Sequence, residues 1–349
     1  MKKFKIALVP GDGVGPEVID AARKVLEAVA QNGEAQFEFI EYMAGKIAYD
    51  QTKDPLPAET LDGMRRADAT LMGAMSTGLV PPPSPMGRLR KELDLYADLR
   101  PIQSYPGVWC LRDNLDLIVV RENTQGFLAD RNLYRGYGEF MPDEDTVLSL
   151  RVLTRKGCER IATFAFEYAT KLSRKKITAV HKANVLRTGD GFFLDICKEI
   201  AKKYPSIEFR DDYVDAVAND LVARPENYDV LLTTNMYGDI LSDEAAALVS
   251  SLVPTANFGE GCSLFRPIHE AMLNIAGKGI VNPISTILSG MMMLEYLGAS
   301  KAAARIKQAV KKVLAKREVL TRDLGGKATT NEMTRAIVDT LSKEKRIWE

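Results

Sequence analysis

Two aspartates four residues apart give the first indication of chemistry. In Asn235-Met-Tyr-Gly-Asp-Ile-Leu-Ser-Asp243, Asp239 and Asp243 open a helical pattern (Ile240, Leu241, Ala245, Leu248), so both carboxylates share one helix face. Two readings fit. Acids at a helix start complement its dipole, which accounts for one of them. Two on one face, with Asp215 upstream in Tyr-Val-Asp-Ala, suit a hard cation held by oxygens. Mg2+ or Mn2+ takes a few carboxylates and leaves water and substrate to complete the octahedron.

Arginines are the second group. Arg90 and Arg100 bracket Lys-Glu-Leu-Asp-Leu-Tyr-Ala-Asp-Leu, with Arg88 close by, and Arg121 follows the apolar run Leu115-Asp-Leu-Ile-Val-Val. Arg100 precedes Pro101, where a pattern ends, so it is expected at an element terminus. Isolated arginines are ordinarily solvated charges, whereas three converging guanidinium forks would grip a polycarboxylate. Lys182, in His181-Lys-Ala-Asn-Val, follows an apolar strand pattern. Beside a metal it could lose its proton and act as a base; elsewhere it is a surface lysine. His269 is one of two histidines and lacks His or Cys company, which favours a satisfied polar contact over a metal ligand.

The elements that must position these groups are legible as alternation. Phe4–Val9, Ala69–Met72, Leu117–Val120, Ile177–Val180 and Val230–Thr233 read as short apolar strands, each followed by polar or turn residues and a helical pattern. That is α/β architecture. Gly11-Asp-Gly-Val-Gly-Pro-Glu17 fits the dinucleotide pattern GxGxxG poorly, since its third glycine falls one place early. A tight turn into a helix over Glu17–Gln31 is the simpler reading. Val80-Pro-Pro-Pro-Ser-Pro is a stiff extended connection. Tyr134 to Asp145 reads as a projecting loop or arm, and Ser300 to Leu341 as helix with solvated basic faces.

Composition bounds the partners. Lys+Arg and Asp+Glu are 47 each, so no global field favours nucleic acid or an anionic membrane. The four cysteines form no CxxC or Cys/His pair, as expected of reduced thiols in a cytoplasmic protein. The opening apolar run is short and ends in a turn, which reads as a first strand and not a signal peptide. No run reaches transmembrane length.

Five blocks carry a resemblance to a known family. They are Leu93-Asp-Leu-Tyr-Ala-Asp-Leu-Arg-Pro101, Val120-Arg-Glu-Asn-Thr124, His181-Lys-Ala-Asn-Val-Leu186, Asn235 to Asp243, and Ile275-Ala-Gly-Lys-Gly-Ile-Val-Asn-Pro283. With Leu8-Val-Pro-Gly-Asp-Gly-Val-Gly-Pro-Glu17 before them, the chain resembles the β-decarboxylating dehydrogenases acting on isocitrate, 3-isopropylmalate, homoisocitrate, tartrate or D-malate. The resemblance implies a two-domain isocitrate/isopropylmalate dehydrogenase-like α/β fold, distinct from the Rossmann fold. Residues 1–103 and 250–349 would form a nucleotide-binding large domain. Residues 104–249 would form a substrate, metal and dimerisation domain with an arm around 134–150.

The same resemblance implies the reaction and its residues. A 3-substituted malate, a small hydroxy di- or tricarboxylic acid, would be oxidised at its 2-hydroxyl and lose its 3-carboxylate as CO2. Ser84, Arg90, Arg100 and Arg121 match substrate positions, and Asp215, Asp239 and Asp243 match metal positions. Lys182 and Asp215 match the proton-relaying pair, shared across a homodimer. His269, Asn274, Ile275 and Asn282 match cofactor positions. The implied cofactors are Mg2+ or Mn2+ and NAD, with NADP left open.

Three departures stand against that pattern. A tyrosine is usual seven residues after the arginine of Arg-Glu-Asn; here Leu128 occupies the place, and Tyr134 or Tyr137 would have to substitute. The usual His-Gly-Ser-Ala-Pro-Asp loop is His269-Glu-Ala-Met-Leu-Asn274, which adds bulk and charge where a pyrophosphate approaches. Arg266 stands where a glutamate usually precedes the Pro-x-His. In the substrate-selecting segment, Ser84 matches isocitrate enzymes, while Met86 and Gly87 stand where isopropylmalate enzymes have paired leucines. The alternatives are a non-redox decarboxylase or lyase on a related acid and, last, a non-catalytic regulatory subunit.

Overall fold

The computed structural model describes residues 3–31, 35–76, 78–128 and 136–345. The chain begins with β1 (Lys3–Val9), α1 (Gly15–Ala30), β2 (Gln36–Glu41), α2 (Lys46–Thr52), α3 (Ala58–Arg66), β3 (Ala69–Met72) and α4 (Pro85–Glu92). It continues through β4 (Ala97–Gln103), β5 (Asp116–Glu122), β6 (Glu139–Asp143), β7 (Thr146–Ser149), α5 (Arg155–Lys171), β8 (Lys176–His181) and α6 (Gly189–Ala201). Then come β9 (Glu208–Tyr213), α7 (Val214–Ala223), β10 (Val230–Thr233) and α8 (Asn235–Leu248). The chain closes with β11 (Pro254–Phe258), β12 (Ser263–Pro267), α9 (Ile284–Tyr296), α10 (Ser300–Lys316) and α11 (Thr330–Lys345). The result is the α/β class expected from the alternating pattern.

One unit comprises Met1–Leu93, Ser104–Leu111 and Ser250–Glu349. Its strands lie in the order β2-β1-β3-β12-β11, parallel except where β11 meets β12. β3 is buried along its whole length, as a strand covered on both faces must be. Helix α1 has Pro16 in its first turn and buries Val18, Ala22, Val25, Leu26 and Val29. Helix α9 is buried from Ile284 to Leu294, the core of this unit.

The other unit comprises Asp94–Gln103 and Arg112–Val249. Its strands run β4-β5-β10-β8-β9, antiparallel between β4 and β5 and parallel thereafter. The expectation that Arg100 marks an element terminus is corrected here. It lies inside β4, where Pro101 sits opposite Ile118. Proline excludes helix but tolerates extended backbone, so it did not end the element.

Register does the positioning. Asp98 stands opposite Arg121, Arg121 beside Thr233, Thr233 beside Val180, and Val180 beside Asp212. The C-terminal ends of three parallel strands therefore deliver Arg121, His181-Lys182 and Thr234-Asn235 to one edge, where open α/β sheets bind ligands. The exposed hairpin β6–β7 carries Phe140, Met141, Val147 and Leu148 outward. None of the four cysteines is in a disulfide. Among the described residues, no helix is long and apolar enough to cross a membrane.

Candidate active site

Four of the singled-out residues gather at the head of helix α8. Arg121 leaves the end of β5 with 4% of its surface exposed, and Arg100 leaves β4 with 6%. Arg121 donates through Nε to the Asn235 carbonyl at 2.8 Å and through Nη2 to Asn235 Oδ1 at 2.7 Å, and its Nη1 pairs with Asp239. Arg100 reaches Ser242 Oγ at 2.6 Å, Asp239 Oδ1 at 3.0 Å and Asp243 Oδ1 at 3.2 Å. The expected shared face of Asp239 and Asp243 is thus real, and both carboxylates turn toward the same guanidinium.

Beneath the pair lies Asp98, 1% exposed, 3.0 Å from Arg100 Nη2 and 3.6 Å from Arg121 Nη1. Burial works against the charge of Arg100, but Asp98, Asp239 and Asp243 outweigh it and hold its pKa above the usual value. For Arg121 the balance reverses: burial and then repulsion from Arg100 lower its pKa. Two buried guanidiniums thus lie close together with three carboxylates around them, Asp98 below and Asp239 and Asp243 on the exposed side. The Nδ2 of Asn235 is buried without a hydrogen-bond partner among the described residues, a donor unmatched by an acceptor.

Lys182 and Asp215 form a separate ion pair, with the lysine ammonium 5.8 Å from the Tyr213 ring centroid. Hydrogen bonding to Lys182 is the main reason the Asp215 carboxyl titrates below its ordinary range. Among the described residues, no group of three or more His, Cys, Asp or Glu is disposed to hold a metal. A single chain therefore joins Asp239 to Asp243 and leaves Asp215 with Lys182. The oxygen donors and exposed faces of Asp239 and Asp243 fit half of a hard-cation site.

His269, Asn274, Ile275 and Asn282 share one loop of the first unit, and the poorly matching glycine motif turns out to brace it. Val14 N donates to the Ala271 carbonyl at 2.9 Å, and a side chain at Gly13 would collide with that carbonyl. The Glu17 carboxylate accepts from Gly277 N at 2.5 Å and Gly279 N at 3.0 Å. Val14, Val18, Ala74, Ala271 and Val281 pack as one cluster, with Ile275 against it. The glycines thus serve close approach to the chain itself.

Within that loop, His269 Nδ1 lies 3.0 Å from the Glu270 carbonyl, so Nδ1 carries the proton. Its Nε2 is buried without a partner among the described residues. The expected satisfied contact is therefore half correct: one nitrogen is satisfied and the other is a buried lone pair. Burial is the main cause of a lowered His269 pKa, which keeps the ring neutral. Asn282 is tied to Asp323 at 2.8 Å, whereas Asn274 and Glu270 are exposed.

The remaining expectations divide. Ser84 is the N-cap of α4 and accepts from Gly87 N at 3.0 Å; Arg90 lies in the last turn of that helix. Arg88 is engaged by Asp54 and by the Leu56 carbonyl at 3.2 Å, a structural role. Leu128 is half-buried, Tyr137 is exposed, and Tyr134 lies outside the described residues. Asp98, Asn235, Ser242 and Asp190 were not singled out from spacing. Asp98 left a readable trace, an acid two residues before Arg100 in Ala97–Gln103.

Comparisons with known proteins agree over nearly the whole chain. The profile described as isocitrate/isopropylmalate dehydrogenase matches residues 5–337. A 3-isopropylmalate dehydrogenase of Methanothermobacter thermautotrophicus is 44% identical over 339 residues, covering 97% of this chain and 98% of its own. An isocitrate/homoisocitrate dehydrogenase of Thermus thermophilus is 43% identical over 343 residues, covering 97% and 98%. The crystal structure of isocitrate dehydrogenase from Methylococcus capsulatus superposes with a TM-score of 0.90 at 41% identity, covering 97% of this chain and 99% of that one. The chain belongs to the isocitrate/isopropylmalate dehydrogenase family.

Proposed function

We propose that this protein is a metal-dependent, NAD(P)-linked dehydrogenase that oxidatively decarboxylates a 3-substituted malate. The observation that carries the reading is the pair of buried arginines, Arg100 and Arg121, capped by the exposed carboxylates of Asp239 and Asp243. The two arginines would bind and orient substrate carboxylates. Asp239 and Asp243 would hold Mg2+ or Mn2+, with Asp215 supplied by a second copy of the chain. Lys182, which donates to Asp215, would pass a proton to that carboxylate and take the proton of the 2-hydroxyl in its place, so that the pair relays it. When bound, the cation would polarise the hydroxyl oxygen and NAD(P) would accept the hydride. The loop from His269 to Asn282 would hold the nucleotide.

The homodimer in this proposal draws support from apolar side chains left exposed at Met236 and Ile240 of α8, Val222 of α7 and the β6–β7 hairpin. Four cysteines without a disulfide suit a cytoplasmic location. The second reading is a non-redox decarboxylase or lyase on a related acid, suggested by the exposed Glu270 in the loop assigned to the nucleotide together with Leu128 at the usual tyrosine position. One experiment separates them. Purified protein with Mn2+ is assayed on isocitrate, homoisocitrate, 3-isopropylmalate, tartrate and malate for reduction of NAD or NADP and for CO2. Nucleotide reduction with CO2 release supports the proposal. CO2 from the hydroxy acid itself without nucleotide supports the second reading.

A further inference from the structure

The three carboxylates around Arg100 and Arg121 differ in what else can answer their charge. The side chains of Asp239 and Asp243 are 49% and 69% exposed, so water or a cation can draw them from the arginines. That of Asp98 is 1% exposed, 3.0 Å from Arg100 Nη2 and 3.6 Å from Arg121 Nη1. Its Oδ2 also accepts from Arg100 Nε at 3.1 Å. Strand pairing holds it there, because Asp98 stands opposite Arg121 in the β4–β5 register. Whatever binds on the exposed side, Asp98 keeps facing the two guanidiniums.

If Asp239 and Asp243 face a divalent cation, their two charges and its charge cancel. Beneath them remain two guanidiniums against the Asp98 carboxylate, a surplus of one positive charge. Asn235 adds a donor and no charge: its Oδ1 accepts from Arg121 Nη2 at 2.7 Å, and its Nδ2 is buried without a partner among the described residues. The Lys182–Asp215 pair that a second copy would supply adds none either, since its two charges cancel. Arg90, counted in full, would raise the surplus to two, the charge of a malate dianion. A third carboxylate would find no counter-charge, and an ionised group drawn out of water is disfavoured unless it is paired.

We propose that Asp98 is a specificity-determining residue. By cancelling one of the two buried arginines, it makes the site take a malate whose 3-substituent is uncharged (an alkyl group, a hydroxyl or a hydrogen) in preference to one that bears a third carboxylate. The inference deepens the proposed function and rests on the placing there of substrate carboxylates at Arg100 and Arg121. Two charges several ångströms apart in partly dry surroundings interact strongly enough to change affinity by about tenfold.

Isocitrate and 3-isopropylmalate are matched probes: at C3 they carry a carboxymethyl and an isopropyl group, similar in size and one charge apart. Their affinities for the full-length protein are read by calorimetry with saturating Mn2+ and no nucleotide, so no turnover is needed. Wild type should bind 3-isopropylmalate at least about tenfold more tightly. Two nearly isosteric variants move the charge in opposite directions. Asp98→Asn removes a negative charge and should shift the affinity ratio about tenfold toward isocitrate. Asn235→Asp keeps the oxygen that Arg121 reaches, adds a negative charge, and should shift the ratio about tenfold the other way. A role for Asp98 in folding alone would change stability and leave the ratios where they are. Should Asp98→Asn not fold, Asn235→Asp carries the comparison.

Equal or tighter binding of isocitrate by wild type, or a ratio that the variants leave unchanged or move in one direction, would overturn the inference. Failure of the functional reading looks different. A protein that prefers 3-isopropylmalate yet reduces neither NAD nor NADP loses the dehydrogenase reading and keeps the inference. One that oxidises isocitrate in preference keeps that reading and loses the inference. Binding of neither acid would overturn both.

Discussion

Gly238 lies flat against Arg121: a Cβ built on the glycine would come within 2.8 Å of the arginine Cβ and would collide with Thr233 Oγ1. Helix α8 can approach β5 only because this position has no side chain, and the approach brings Asp239 to the arginine's Nη1. Gly238→Ala should therefore push the helix outward, at about 1–3 kcal/mol of stability. Affinity for a malate-type acid should fall more than tenfold. Urea unfolding and calorimetry read the two effects. A variant with unchanged acid affinity would show that the arginines bind without α8.

Asp98 sets the electrostatics below the site. Asp98→Asn leaves Arg100 and Arg121 buried side by side without their deep counter-charge. Breaking a buried pair from one side costs about 3–5 kcal/mol. The expected result is a strongly reduced urea midpoint that citrate or another polycarboxylate restores, because an added anion supplies the missing charge. Destabilisation without rescue would mean the arginines are inaccessible to anions.

Leu128 tests the chemistry at the departure from the family's pattern. A positioned acid contributes about 100- to 10,000-fold to a protonation step. Leu128→Tyr is expected to raise kcat at least about tenfold on one acid of the panel. No gain on any acid would show that this position serves different chemistry.

His269 gives the pH dependence. Its folded pKa is lowered, chiefly by burial, while the unfolded ring titrates near about 6.5. Between the two values the unfolded chain binds more protons, so stability rises with pH there. The contribution is complete above the unfolded value and is lost as pH falls below it toward the folded one. Urea midpoints at pH 7.5 and 5.5 should drop more for wild type than for His269→Gln. Equal drops would place the ring in solvent-like surroundings.

Much of the fold was legible because it follows from local composition. Ala69–Met72 and Val230–Thr233 appear with the bounds expected from sequence, since a strand covered on both faces is an apolar run with polar ends. The i, i+4 spacing of Asp239 and Asp243 fixed their common face, because helical periodicity is a property of the segment itself. Strand β4 was less legible, as Arg100 and Pro101 interrupt its apolar pattern.

The sequence by itself determined which residues could do chemistry and which family they belong to. Tertiary structure decided who meets whom. That Arg100 and Arg121 share Asp98 and Asp239 depends on the register of β4 on β5 and on contacts across more than a hundred residues of chain. That Asp215 stays with Lys182 depends on strands β8 and β9 lying side by side. The glycine motif shows the same division: its residues are readable as a turn, but their partner, the loop at Ala271 and Gly277, lies some 260 residues on. Local rules fix direction along the chain, and only packing selects neighbours across it.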